Sequence, residues 1–217
     1  MKLLIEEIEP DQVEHLTEEV NGKTRHYIHG VFMQSAIPNG NNRIYPEEIM
    51  DNAAKSYNQV YVNQSRAYGE LGHPDTPKIN LERVSHRIVE LKKDGKNYIG
   101  KAMLMDTPYG TIAKQIMESG GRLGVSTRGV GTTKKDHTGK MIVQDNFRLA
   151  TAADIVVDPS APDAFVQSMM EDKDWIWENG VWREEDLMEA KNNIKAAAKA
   201  ELEITALEEF TKLISKL

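Results

Sequence analysis

The chain has 217 residues, with 27 Lys plus Arg against 34 Asp plus Glu; the formal charge of −7 argues against broad nucleic-acid binding, which needs a basic face, though not against a local patch. With 40% hydrophobic and 28% charged residues, it has globular composition, enough for one domain plus an appendage or two small domains. It has no cysteine, which removes a disulfide framework, a cysteine zinc site and a thiol nucleophile, and no apolar run approaches the roughly 20 residues of a membrane span.

Residues 1–24 are polar and acidic, with Asn21-Gly22 as a turn signal, and read as a loosely attached arm or an edge hairpin. One Lys among several Glu and no long apolar stretch make Met1 to Glu9 unlike a signal peptide. His26 to Met33, rich in aromatic and β-branched residues, predicts a strand. Pro38 to Asn42 is a loop, and Tyr45-Pro46-Glu47-Glu48 opens a helix with Ile49, Ala53 and Tyr57 on its apolar face. Residues 61–83 look irregular. Residues 84–104 predict two strands joined at Asp94-Gly95. Thr107-Pro108 starts a second helix, with apolar Tyr109, Ile112, Ala113, Ile116 and Met117, and Gly120-Gly121 stops it. Strands follow at Leu123–Val130, Met141–Gln144 and Phe147–Val157, the last broken by Asp158-Pro159. Composition then shifts: Trp175 to Trp182 predicts a small hairpin around Asn179-Gly180. Residues 184–217, with no Pro or Gly, predict one long helix ending in an apolar stripe of Phe210, Leu213, Ile214 and Leu217. The division is an arm or edge element at 1–24, a body at 25–168 and an appendage at 169–217.

Three segments carry candidate chemistry. In Gly124-Val125-Ser126-Thr127-Arg128-Gly129-Val130-Gly131, small residues crowd one hydroxyl; the spacing is that of neither a phosphate loop nor a nucleophile elbow, and alone it reads as a glycine-rich strand. In Gly69-Glu70-Leu71-Gly72-His73-Pro74, a His is held in a turn. In Leu149 to Val157, Asp154 is a lone charge in an apolar run, either facing solvent or buried with partners. Together they supply the hydroxyl, imidazole and carboxylate of nucleophilic catalysis: the imidazole takes and returns the serine proton, and the carboxylate fixes its tautomer. His26 and His29 form an HxxH pair, but residues three apart on a strand face opposite sides, so they make a poor metal site and no metal or cofactor is expected.

The chain resembles the prohead core protein protease family of T-even-like tailed bacteriophages. The matching stretches are Gly30-Val31-Phe32-Met33-Gln34, Asn42-Arg43-Ile44-Tyr45-Pro46, the segments around His73 and Ser126, and Asp158-Pro159-Ser160-Ala161-Pro162-Asp163-Ala164, all collinear between about residues 27 and 165. The resemblance implies an α+β fold: an assemblin-like β-barrel core flanked by helices, here carrying a C-terminal helical appendage. It makes residues 25–168 the protease domain, His73 the general base, Ser126 the nucleophile and Asp154 the third member, with His86 as the runner-up. Arg128 and backbone N–H groups near Ser126 or after Asp154 are candidate oxyanion donors.

It further implies a serine endopeptidase inside the viral procapsid in the host cytoplasm. Scaffold or core proteins and the major capsid protein would be its substrates, with no nucleic acid or membrane partner and oligomerisation left open. Cleavage would follow Glu in (Leu/Ile)-x-Glu. The chain itself contains such triplets, including Leu4-Ile5-Glu6, Leu16-Thr17-Glu18, Ile176-Trp177-Glu178, Leu187-Met188-Glu189 and Leu207-Glu208-Glu209, so self-trimming is an expectation. The alternative is a catalytically silent structural core or assembly protein that keeps the fold.

Overall fold

The computed structural model describes residues 1–8, 13–157, 174–178 and 181–185. Its strands are β1 (Lys2–Ile8), β2 (Val13–Val20), β3 (Lys23–Gln34), β4 (Arg43–Ile44), β5 (Tyr68–Glu70), β6 (Val84–Asp94), β7 (Asn97–Leu104), β8 (Gly124–Gly131), β9 (Thr133–Lys135), β10 (Met141–Val143), β11 (Arg148–Val156), β12 (Asp174–Glu178) and β13 (Val181–Glu185). The helices are α1 (Glu47–Tyr57) and α2 (Pro108–Glu118). The result is a sheet-rich α+β fold.

Local chemistry explains the hairpins. Asn21 and Gly22 both adopt positive φ, which lets a two-residue turn match the strand twist and pair β2 with β3 in unbroken register. Gly95 does the same service between β6 and β7. A five-stranded sheet results, in the order β2-β3-β7-β6-β5. Along β7 half-buried and buried residues alternate strictly, as a strand with one wet face requires. Its inner face contributes Tyr98, Ala102 and Leu104 to a core shared with Ile28, Phe32 and Ile88. Gly100 is glycine because a Cβ there would lie 2.0 Å from the Phe32 ring.

Both helices pack on that core. α1 buries Met50, Ala53, Ala54 and Tyr57, and places Glu47 and Glu48 in its first turn, where they face the positive end of the helix dipole. Pro46 is its N-cap residue, and the helix runs on into a π-turn at residues 58–62. In α2 the Thr107 hydroxyl accepts from the Gly110 N–H at 3.1 Å, and Gly120 follows its end with φ +87°.

A second sheet, β1-β8-β11, packs against this core, and a small sheet β4-β10-β9 and the hairpin β12-β13 complete the strands. β1 is no loose arm: it pairs with β8 over its whole length, and Leu3, Leu4 and Ile5 are buried, two of them beside Trp175. The short strands β4, β5 and β9 lie in segments that the sequence pattern leaves without a strand, whereas β10, also three residues long, falls in the predicted run Met141–Gln144.

Among the described residues the strand pairings do not trace the closed barrel that the resemblance implies. Among the described residues the pairings form four separate sheets, and the two larger ones meet through one parallel bridge, Leu71 to Ile155. The predicted C-terminal helix, at 184–217, lies outside the described residues apart from the end of β13, as does the Asp158-Pro159 breaker.

Candidate active site

Ser126 lies in the middle of β8, flanked by β1 on one side and β11 on the other. All eight residues of the strand are buried. Small residues permit this: a Cβ at position 129 would meet the Phe147 ring at 2.5 Å. On one face, the Thr127 hydroxyl lies 3.0 Å from the carbonyls of both Phe32 and Ala152. Alternation puts Ser126 and Arg128 together on the other face.

Asp154 faces Ser126 directly across the β8–β11 ladder. Opposed residues of an antiparallel pair have Cβ atoms roughly 4.5–5.5 Å apart, within side-chain reach. Had the register at Arg148 and Val130 run on unbroken, Ala152 would occupy that place. Irregularities between Leu149 and Thr151, and between Thr151 and Asp154, shift β11 and bring the carboxylate there instead.

The Asp154 side chain is fully buried and well satisfied. Its Oδ1 accepts from the Glu70 N–H at 2.9 Å and from Arg128 Nη2 at 3.2 Å; its Oδ2 accepts from Arg128 Nε at 2.8 Å. Burial pushes this carboxyl above its usual range, and the Arg128 charge is the first force opposing that rise. Arg128, itself 0% exposed, also donates from Nη2 to Glu70 Oε1 at 3.2 Å, and from Nη1 to the carbonyls of Thr76 and, at 3.3 Å, Lys78. Glu70 Oε1 in turn accepts from the Asn80 N–H at 3.0 Å, and Arg83 Nε stands 3.6 Å from Glu70 Oε2. Two carboxylates and two guanidinium groups thus balance in charge.

His73 sits in the loop of residues 71–80 that follows β5. The loop starts on β11: Leu71 bridges Ile155, and the Gly72 N–H donates to the Ile155 carbonyl at 2.8 Å. Gly72 turns the chain with φ +88°, a conformation that favours glycine. His73 follows at once, half-buried, with both ring nitrogens shut off from solvent. The structure therefore sets Ser126 and Asp154 side by side and ties the His73 loop to the residue after Asp154.

His86 is completely buried in β6. Its Nε2 meets the Ala153 carbonyl at 3.0 Å, so that nitrogen carries the proton, and Nδ1 accepts from the Ser85 hydroxyl at 2.9 Å. Burial lowers its pKa to about 4. Nε2 of the runner-up thus ties β6 to β11, while Nδ1 is engaged within β6 by its neighbour Ser85. Gly69 is required beside it, since a Cβ there would lie 2.2 Å from His86 Nε2.

His26 and His29 point to different partners: His26 Nδ1 lies 3.1 Å from His15 Nε2, and His29 Nδ1 lies 3.0 Å from Glu14. A groove of about 350 Å³, lined by Ile49, Tyr57, Tyr61, Phe147, Leu149 and Trp177 among others, is not lined by His73, Ser126 or Asp154. Sequence reasoning did not single out Glu70, and it did not bring Arg128 against Asp154 and Glu70. A long cation set among glycines and small residues, inside a strand, was the signal that it must be buried and paired.

Comparison with known proteins supplies the context of this geometry. A family model described as prohead core protein serine protease matches residues 5–174. The prohead core protein protease of enterobacteria phage T4 is 35% identical over 144 residues, which cover 64% of this chain and 67% of that protein. The solved structure of the bacteriophage T4 capsid assembly protease aligns with a TM-score of 0.68 at 28% identity, over 73% of this chain and 98% of that one.

Proposed function

The chain belongs to the prohead core protein serine protease family, and we propose that it matures capsids as a serine endopeptidase, with Ser126 as nucleophile, His73 as general base and Asp154 as the orienting acid. The observation that carries the reading is the register: two irregularities in β11 are needed to put a carboxylate opposite Ser126, and they are present. A carboxylate has about four acceptor positions, and three are filled by Glu70 and Arg128, which leaves one on Oδ2 for the triad.

In the proposed reaction, Ser126 Oγ attacks the peptide carbonyl carbon as His73 takes the hydroxyl proton. The C–N bond then breaks as the imidazolium returns that proton to the leaving amine. Water, deprotonated by the same imidazole, releases the acyl group from Ser126. The substrates are core or scaffold and major capsid proteins within the prohead, cut after Glu in (Leu/Ile)-x-Glu. Ser126 is 0% exposed, so a peptide reaches it after the site opens. That burial also favours the second reading, a catalytically silent core or assembly component.

Self-trimming is limited by structure. Leu4-Ile5-Glu6 lies within β1, with Leu4 and Ile5 buried and paired to Gly129 and Arg128, so the folded chain protects it. Leu16-Thr17-Glu18 lies in the edge strand β2, while the triplets at 187–189 and 207–209 lie outside the described residues. The test is cleavage of Leu-x-Glu and Ile-x-Glu peptides. Ser126→Ala is expected to lower kcat by roughly 10⁴-fold or more. Equal activity in the two proteins would remove Ser126 as nucleophile, and no activity in either would favour the silent reading.

A further inference from the structure

Arg128 has five N–H donors, and all five have an acceptor. Nε and one Nη2 hydrogen grip Asp154, the second Nη2 hydrogen meets Glu70, and the two on Nη1 meet the Thr76 and Lys78 carbonyls. No donor remains for an oxyanion, so the role first considered for this residue has no hydrogen to serve it. The acceptors instead belong to three separate segments: β11, β5 and the loop that carries His73. The Arg128 backbone is in β8, two residues from Ser126.

Stability alone is a weak reason for this arrangement. A buried ion-pair network commonly does no better than well-packed apolar residues of similar volume. What it does provide is geometry. A planar fork with fixed donor directions can hold two carboxylates and two carbonyls at once, which a lysine ammonium with three donors cannot. Other ties of the loop include Gly72 to Ile155 and Leu71 to Arg83 near its start, Lys78 over the Trp175 ring, and Asn80 to Glu70 at its end. Between the two ends Arg128 adds two bonds, to the carbonyls of Thr76 and Lys78.

We propose that Arg128 is a positioning residue, a clamp that holds the His73 loop and the Asp154 carboxylate in place relative to Ser126, with Glu70 as its counter-anchor. This rests on the triad reading above.

The test uses the full chain with Arg128→Lys, which keeps the charge and loses the fork. Misplacement of a catalytic group by about 1 Å costs on the order of 10²-fold, so kcat is expected to fall by about that much while KM changes less than about threefold. Amide hydrogen exchange at residues 72–80 is expected to quicken at least roughly tenfold, with β3 and β7 unchanged. Should Arg128→Lys fail to fold, Glu70→Gln takes its place, with the same direction of change in kcat and loop exchange. A folded variant with wild-type kcat and wild-type loop exchange would overturn the clamp. Labelling of wild-type Ser126 by a fluorophosphonate keeps the two ideas apart: no label on the wild type defeats the triad reading, whereas the exchange measurement still decides the clamp.

Discussion

β7 and β8, one strand from each of the two larger sheets, follow opposite rules. In the five-stranded sheet, β7 alternates between a buried and a half-buried face, and its charges lie at the surface, as where Lys101 meets Glu18 at 2.5 Å. In the three-stranded sheet, β8 is buried along its whole length, and Arg128 and Asp154 meet inside the protein at 2.8 Å. A strand with one wet face leaves its polar groups to water. A strand covered on both faces must find a partner for each of them, because an unpaired buried polar group costs several kcal/mol. The register of such a strand then decides which side chains meet, and in this protein the candidate chemistry lies there.

The largest effect that tests the contrast is on catalysis. Asp154→Asn keeps the shape but loses the charge, and it turns a donor toward a guanidinium that can accept nothing. If Asp154 orients His73, kcat should fall by about 10⁴-fold. Steady-state cleavage of a Leu-x-Glu peptide measures it, and a loss below tenfold would remove Asp154 from the triad.

An intermediate effect belongs to the seam between the sheets. His86 in β6 bonds Ala153 in β11 and titrates at about 4 when folded, against about 6.5 when unfolded. Between those values the unfolded chain binds the extra proton. The stabilisation from keeping His86 neutral is therefore complete above pH 6.5 and is lost as pH falls toward 4, by about 3 kcal/mol in all. Urea unfolding at a series of pH values should show this slope, and His86→Gln should flatten it. An unchanged slope in that variant would assign the acid sensitivity to other groups.

The smallest effect is at the surface of the five-stranded sheet. Lys101 also stacks over the Tyr27 ring at 4.4 Å, yet its ion pair is exposed to solvent. Lys101→Ala should cost below about 1 kcal/mol in thermal unfolding, less still at high salt. A larger loss would mean that the wet sheet, too, depends on its charges.

Much of the fold was legible because its signals are local. Asn21-Gly22 and Asp94-Gly95 marked two hairpins, Thr107-Pro108 and Gly120 bounded α2, and the aromatic and β-branched run at 26–33 marked β3. The site was legible in part. His73, Ser126 and Asp154 stood out as residue types in unusual surroundings. The partners of Asp154 did not, since Glu70 and Arg128 are 58 residues apart in the chain and meet through tertiary packing.

The sequence by itself therefore determined the strand-rich class, the positions of the hairpins and helices, and the segments able to do chemistry, because turn geometry, capping and side-chain alternation act between near neighbours. Tertiary structure decided which of those segments meet. The two shifts in β11 place Asp154 rather than Ala152 opposite Ser126, the bridge from Leu71 to Ile155 brings in the His73 loop, and Arg128 joins all three. Each of these depends on how a buried strand satisfies its polar groups against distant partners, a condition that exists once the core has closed around them.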